Sequence, residues 1–262
     1  GRGHGPLNIV EAIQKSCNYF FYEVSVRMGI DNLNKYAKYF GLGSRTGVEI
    51  VGEKAGTLAG RELAEKKGEV WSAAQTAYAA IGQGLNTFTP LQMGKYIAMI
   101  ANGGEKLDIS VVKNINLSNG TQVSRTEINE FVNKKLGLES DFSENLQIKP
   151  ETINAIKEGM RSVTEVVGGT AYSVFKDFEI SVGGKTGSAQ AGERNGKKIT
   201  HGWFAGFAPF DNPEIAVVVM VENGKHGYYT AEVARDIIGE YFGMNMNGVR
   251  EDMTATGYVE EM

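Results

Sequence analysis

The stretch FEISVGGKTGSAQAGERNGKKITHGWFAGFAPFDNPEIAVVVMV, residues 178–221, decides the fold. Within it Phe178–Val182, Thr200–Ala208 and Ile215–Val221 are rich in β-branched and aromatic residues and predict three strands. The links between them, Gly192–Lys198 and Pro209–Pro213, are short. Short links join antiparallel neighbours, because a parallel crossover needs about a dozen residues or more.

Outward from this stretch the apolar period becomes helical. On its C-terminal side, Tyr229–Tyr241 predicts an amphipathic helix with Val233, Ile237 and Ile238 facing in, and beyond Gly243 the chain turns polar and acidic. Residues 1–244 are therefore expected to form the folded domain, with 245–262 a frayed tail. On the N-terminal side, Pro150 opens a helix with Ile153, Ile156, Met160 and Val163 inward, closed by Gly168-Gly169. Residues 107–148 alternate strand-like pieces with polar turns. Thr89-Pro90-Leu91-Gln92 supplies an N-cap, a proline at the first helical position and a capping-box glutamine. That helix is expected to reach Ala101 and stop at Asn102-Gly103-Gly104. Trp71–Ala80 reads as a small-residue helix, and residues 44–70 as glycine-rich loop. Asp31 is placed to cap a helix bearing Leu33, Tyr36, Ala37 and Phe40, and the first two helical segments meet at Ser16-Cys17-Asn18. Helices followed by an antiparallel sheet and a closing helix make an α+β fold.

The composition excludes several function classes. Net charge is −4 over 262 residues, so no basic footprint for nucleic acid exists, and Arg194–Lys198 reads as a polar hairpin tip. Cys17 is the one cysteine, which rules out an internal disulfide and a cysteine-based metal site; His4, His201 and His226 have no metal-ligand spacing. No cofactor motif is present. The longest apolar run, Ile215–Val221, is far shorter than the ~20 residues a membrane helix needs. No signal-peptide pattern opens the chain, which starts without a methionine and reads as a fragment.

Two short strings carry chemistry. Lys185-Thr186-Gly187-Ser188 follows Gly183-Gly184 at the end of the first predicted strand, where a cation and hydroxyls beside glycines suit a carboxylate. Read by itself, the string also fits an ordinary exposed strand end. Ser16-Cys17-Asn18 can aim a hydroxyl and an amide into one cleft, or can simply serve helix capping. Cys17 reads as a small buried residue.

In this order the two strings resemble the S-x-N and K-T-G elements of the serine penicillin-recognising enzymes. Flanking phrases extend the likeness to class B penicillin-binding proteins. Ala80-Ile81-Gly82-Gln83-Gly84 with Thr89-Pro90-Leu91-Gln92 is similar to their IGQG…TPLQ segment. Gly169-Thr170-Ala171 looks like the GTA before their K-T-G strand, and His201–Phe207 like the strand after it. The likeness runs from about residue 4 to 242 and departs at Gly227-Tyr228-Tyr229-Thr230, where the family's last helix usually follows a proline-containing approach.

The resemblance implies the penicillin-binding transpeptidase fold and roles for individual residues. Lys185, Thr186 and Ser188 would bind the carboxylate of a terminal D-alanine or of a β-lactam. The Ser188 N–H would form half of an oxyanion hole. Ser16 would relay a proton to the leaving amine, and Asn18 would orient the catalytic lysine and the substrate amide. Gly183 and Gly184 would let the substrate lie along the strand, and Gly187 is a further substrate-binding candidate. His201 and Trp203 are secondary candidates. Implied partners are stem peptides ending in D-Ala-D-Ala, β-lactams, and proteins of an elongation or division complex, at an extracytoplasmic site anchored by an upstream segment.

The family's nucleophile is the serine of S-x-x-K, with its lysine one helical turn on. No serine precedes Ser16 here. Ser110-Val111-Val112-Lys113 and Ser173-Val174-Phe175-Lys176 have the spacing but fall after S-x-N. The expectation is a transpeptidase domain without its nucleophile segment, inactive alone. A D,D-carboxypeptidase or β-lactamase-like relative, or a non-catalytic wall-peptide or partner-binding module of the same fold, are the alternatives.

Overall fold

A computed structural model describes residues 3–138, 146–194 and 196–244. Three strands, β1 (Gly183–Arg194), β2 (Lys197–Ala208) and β3 (Ile215–Val221), form one antiparallel sheet in the order β1-β2-β3. Gly183 pairs with Phe207 and Ser188 with Gly202 across the first pair; Phe204 pairs with Val219 across the second. The fold is α+β, as the sequence predicts.

The first strand begins later than predicted. Phe178–Val182 forms no strand, because its backbone is committed elsewhere: Phe178 N–H donates to the Phe175 carbonyl, Phe210 N–H to Ser181, and the Thr164 hydroxyl to Val182. Pairing with β2 starts only at Gly183, so K-T-G lies inside β1 and not at a strand end. The tight pair before it has a packing reason. A Cβ on Gly183 would stand 2.6 Å from the Phe207 ring and one on Gly184 2.4 Å from the Phe204 ring. Those two rings, fully buried, are the centre of the core, with Phe175 stacked on Phe204 and Phe210 on Phe207.

Helices cover the sheet. Among the described residues α8 (Pro150–Glu165) packs on β1, and α6 (Pro90–Ala101) on β2 and β3. The α6 start follows its sequence signals: Thr89 caps it, Pro90 occupies its first turn, and Gln92 closes the capping box. The Gln92 amide, fully buried, also donates to the carbonyls of Ser44 (2.6 Å) and Ala55 (2.8 Å), which pins the loop before it. The closing helix α10 (Gly227–Tyr241) packs on all three strands. It buries Ala231, Ala234 and Ile238; Val233 and Ile237, expected inward, are 45% and 43% exposed. The inward stripe is the i, i+3, i+7 set Ala231, Ala234 and Ile238, whose two alanines let the helix approach the sheet closely.

The N-terminal half is helical: α1 (Ile9–Gln14), α2 (Asn18–Met28) and α3 (Ile30–Tyr39), then α5 (Ala73–Ala80), which packs on α2. Gly29, at φ 79°, separates α2 from α3 and takes the N-cap position assigned to Asp31, which sits in the first turn and pairs with Arg61. Tyr36 is exposed, while Tyr39 is buried and donates to the Gly104 carbonyl. A short helix, α4 (Arg61–Lys66), interrupts the loop predicted over 44–70. Among the described residues between 107 and 148 there is one isolated bridge, Asn116 to Gln122, and a helix, α7 (Arg125–Leu136), where strand-like pieces were expected. Ser124 and Glu127 form a capping box for it and Gly137 stops it in the left-handed region. The four-residue helix α9 (Tyr172–Phe175) leads into the sheet. Residues 245–262, the expected tail, lie outside the described residues.

Two glycine substitutions should act with opposite sign. Gly184→Ala forces a methyl against Phe204 and should cost about 1–3 kcal/mol, whereas Gly94→Ala, inside α6 with open space at its Cβ position, should stabilise by about 0.5–1 kcal/mol. Urea midpoints of the two variants check this.

Candidate active site

The turn between α1 and α2 is set by both helices. Asn8 and Glu11 form a capping box at the start of α1, and Gly159 lets Ile13 sit directly on α8. Ser16 N–H donates to the Ile13 carbonyl and Cys17 N–H to that of Ala12, closing the helix. This leaves Ser16 at φ 50°, a left-handed conformation uncommon for a residue with a side chain. Cys17 is buried, while Asn18, the first residue of α2, is exposed and makes no side-chain hydrogen bond among the described residues.

Strand β1 brings Lys185 to this turn. Its Nζ donates to Ser16 Oγ at 2.9 Å and to the Thr186 carbonyl at 2.7 Å. Among the described residues no carboxylate pairs with it, and burial lowers its pKa from 10.5 to about 8. Desolvation penalises the charged form, and a hydroxyl and a carbonyl compensate only in part. Thr186 Oγ1 shares a hydrogen bond of 2.6 Å with Thr170 Oγ1. Ser188 is exposed farther along β1. Ser16, Lys185 and Thr186 are thus joined directly; Gly184, Gly187 and Ser188 lie on the same strand, and Asn18 flanks Ser16 without a contact of its own.

Gly227 explains the unusual approach to α10. A Cβ there would stand 2.6 Å from the Gly187 carbonyl oxygen and 2.7 Å from that of Trp203. Only glycine lets the helix start this close to the strand carrying Lys185. Gln14, buried at the end of α1, donates to the Val167 carbonyl at 3.1 Å and fastens the loop before Thr170 to the helix before Ser16. The sequence reading assigned no site role to Thr170, Gly227 or Gln14. The first was visible as part of a family-like string, the second as a departure from one, and Gln14 carried no signal. Of the secondary candidates, His201 Nδ1 accepts from Asn223 N–H and half-buried Trp203 packs against Gly187.

The two S-x-x-K strings serve other ends. The Ser110 hydroxyl donates to Glu49 and accepts from Arg125, and Arg125 also holds the carbonyls of Val112 and Lys113. Ser173 lies in α9, and Lys176 pairs with Asp177 at 3.7 Å. Among the described residues no group of His, Cys, Asp or Glu is arranged to hold a metal ion, and no helix is long and apolar enough to cross a membrane.

A family profile described as the penicillin binding protein transpeptidase domain matches residues 1–239. The chain belongs to that family. It is 32% identical over 262 residues to the peptidoglycan D,D-transpeptidase MrdA of Haemophilus influenzae, covering 95% of this chain and 38% of that protein. Stage V sporulation protein D of Bacillus subtilis is 33% identical, over 90% of this chain and 34% of that one. The chain therefore spans between about a third and two fifths of the length of these curated relatives. Among solved structures, Pseudomonas aeruginosa PBP2 in complex with WCK 5153 superposes with a TM-score of 0.75 at 26% identity, covering 95% of this chain and 52% of that one. Helicobacter pylori PBP2 in its complex with MreC gives 0.71 at 25% identity, covering 92% and 41%. The class B transpeptidase fold read from the sequence is the fold found.

The lowered Lys185 pKa fixes a sign. The unfolded lysine binds its proton up to about pH 10.5 and the folded one only to about 8. Burial of the charge thus opposes folding fully below pH 8, and the opposition fades as pH rises toward 10.5. Relative to Lys185→Met, the wild type should gain stability between pH 8 and 10. Paired urea titrations at the two pH values measure it, and an unchanged difference would refute the assignment.

Proposed function

We propose that this chain forms the substrate-binding half of a peptidoglycan D,D-transpeptidase whose nucleophilic serine lies in sequence preceding residue 1. The observation that carries this reading is the 2.9 Å hydrogen bond from Lys185 Nζ to Ser16 Oγ, which joins two motifs 169 residues apart. The relatives named peptidoglycan D,D-transpeptidase support the reaction.

The donor stem peptide lies along β1. Its terminal carboxylate is held by the Lys185 ammonium and the hydroxyls of Thr186 and Ser188. With a pKa near 8, Lys185 remains mostly cationic at pH 7. The nucleophilic serine gives its proton to the lysine one helical turn on in the same segment and attacks the carbonyl of the penultimate D-alanine, and the Ser188 N–H supplies one of the donors that stabilise the carbonyl oxygen as it gains charge. The peptide C–N bond then breaks, Ser16 passes a proton to the departing D-alanine amine, and Asn18 orients the catalytic lysine and the amide. An amine of a second strand attacks the ester and gives up a proton, the C–O bond to the serine breaks, and a proton returns to the serine oxygen, which completes the cross-link. A β-lactam enters by the same first step and stays bound as an ester.

The preceding segment has a surface to pack on. Helix α2 buries only Ser25 and leaves Tyr19 and Val26, seven residues apart, exposed on one side and Val24 exposed on the other. That segment also carries the membrane anchor, and the domain works outside the cytoplasmic membrane. MreC in the Helicobacter pylori complex exemplifies the kind of partner expected in an elongation or division assembly.

Intact mass after incubation with benzylpenicillin tests the reading. The protein extended to include the preceding segment should gain one penicillin, the 262-residue chain alone none. Ser16→Ala should slow acylation roughly 100- to 10,000-fold. No adduct on the extended protein, or an adduct on the shorter chain, would sink it; the latter outcome would send peptide mapping to Ser16, Ser110 and Ser173.

A further inference from the structure

Thr170 stands just before α9, in a loop that is held unusually firmly for an exposed segment. Gly169 passes so close to the end of α8 that a Cβ there would lie 2.4 Å from the carbonyl oxygens of Ser162 and Val163. Ala171, fully buried, donates its N–H to Val163 at 3.0 Å, and Gly169 donates to Val166 at 2.9 Å. From the other side Gln14 holds Val167. The Thr170 hydroxyl is thus carried on a backbone fixed to both α8 and the helix that ends at Ser16.

Among the described residues its one side-chain partner is Thr186 Oγ1, 2.6 Å away, and the bond can run in either direction. A hydroxyl has one proton and two acceptor sites, whereas an ionised carboxylate only accepts. When a carboxylate meets Thr186, that single proton must point to the carboxylate. The Thr170–Thr186 bond can then survive only with Thr170 as donor. Donation by Thr170 polarises the Thr186 hydroxyl and strengthens it as a donor in turn. It also removes the rotational freedom that a lone threonine hydroxyl would lose on binding.

We propose that Thr170 is a positioning residue, whose hydroxyl donates to Thr186 Oγ1 and so fixes the Thr186 hydroxyl as a donor to the substrate carboxylate. This rests on the reading of β1 as the carboxylate-binding strand.

The test compares acylation by benzylpenicillin and by its methyl ester, in the protein extended to include the segment preceding residue 1. Thr170→Val should slow the reaction with benzylpenicillin roughly tenfold, through weaker apparent binding, and leave the rate with the uncharged ester unchanged. Thr170→Ser should restore it. In a Thr186→Val background, Thr170→Val should have no further effect. Equal slowing with both ligands, wild-type behaviour of Thr170→Val, or an undiminished loss in the Thr186→Val background would each overturn the assignment while leaving the transpeptidase reading intact. A wild-type protein that no β-lactam acylates would overturn both.

Discussion

Lys185 is a cation drawn into the flank of a sheet with one hydroxyl and one carbonyl to hold it and, among the described residues, no carboxylate. Structural lysines are seldom placed this way, because a buried charge without a counterion opposes folding. The arrangement makes sense if the missing negative charge arrives with a ligand. A carboxylate at β1 would restore the pairing, raise the lysine's pKa again and return part of what burial costs. The rest of the molecule can be viewed as the scaffold that holds this half-buried lysine and keeps Ser16 within its reach.

Close packing is what makes the placement possible. Gly159 lets α1 lie on α8 and so sets the height of Ser16. Gly183 and Gly184 leave room for the rings of Phe207 and Phe204, which anchor β1 one residue before Lys185. Gly227 lets α10 start against Gly187. Each of these glycines is there for the neighbour that fills the space of its absent side chain, so the high glycine content reflects approach of elements around the site as well as turns. Strain at Ser16 belongs to the same economy of space: the helix end is closed by its own backbone, and the residue that must face Lys185 takes the left-handed conformation.

Much of this was legible in the sequence where local chemistry is decisive. The capping box at Thr89-Pro90-Leu91-Gln92 located α6, and the run Ile215–Val221 gave β3 with the same limits the structure has. S-x-N and K-T-G were identified as a pair, and the structure joins them. The failures share a cause: they lie where tertiary contacts outweigh local preference. Phe178–Val182 has strand-forming residues, yet its backbone groups bond to Phe175, Phe210 and Thr164. Val233 and Ile237 are more apolar than Ala231 and Ala234, but the sheet selects the smaller side chains for its contact. Asp31 is a good cap in isolation and lost the position to Gly29, whose positive φ the α2–α3 junction requires. Helix α7 starts at the capping box of Ser124 and Glu127, within residues 107–148 where strand-like pieces and polar turns were expected. The Thr170–Thr186 contact links two strings that sequence can show only as neighbours in a motif order.

The central claim is that Lys185 is held in this state by its burial beside Ser16. It is tested most directly by titrating the Lys185 side chain itself, following its Cε shift by NMR in protein carrying labelled lysine, with Lys185→Arg to assign the signal. A midpoint near 8, below those of the surface lysines, is the result the account predicts. A midpoint near the ordinary 10.5 would mean that the lysine is hydrated and not committed to the site, and would contradict the account.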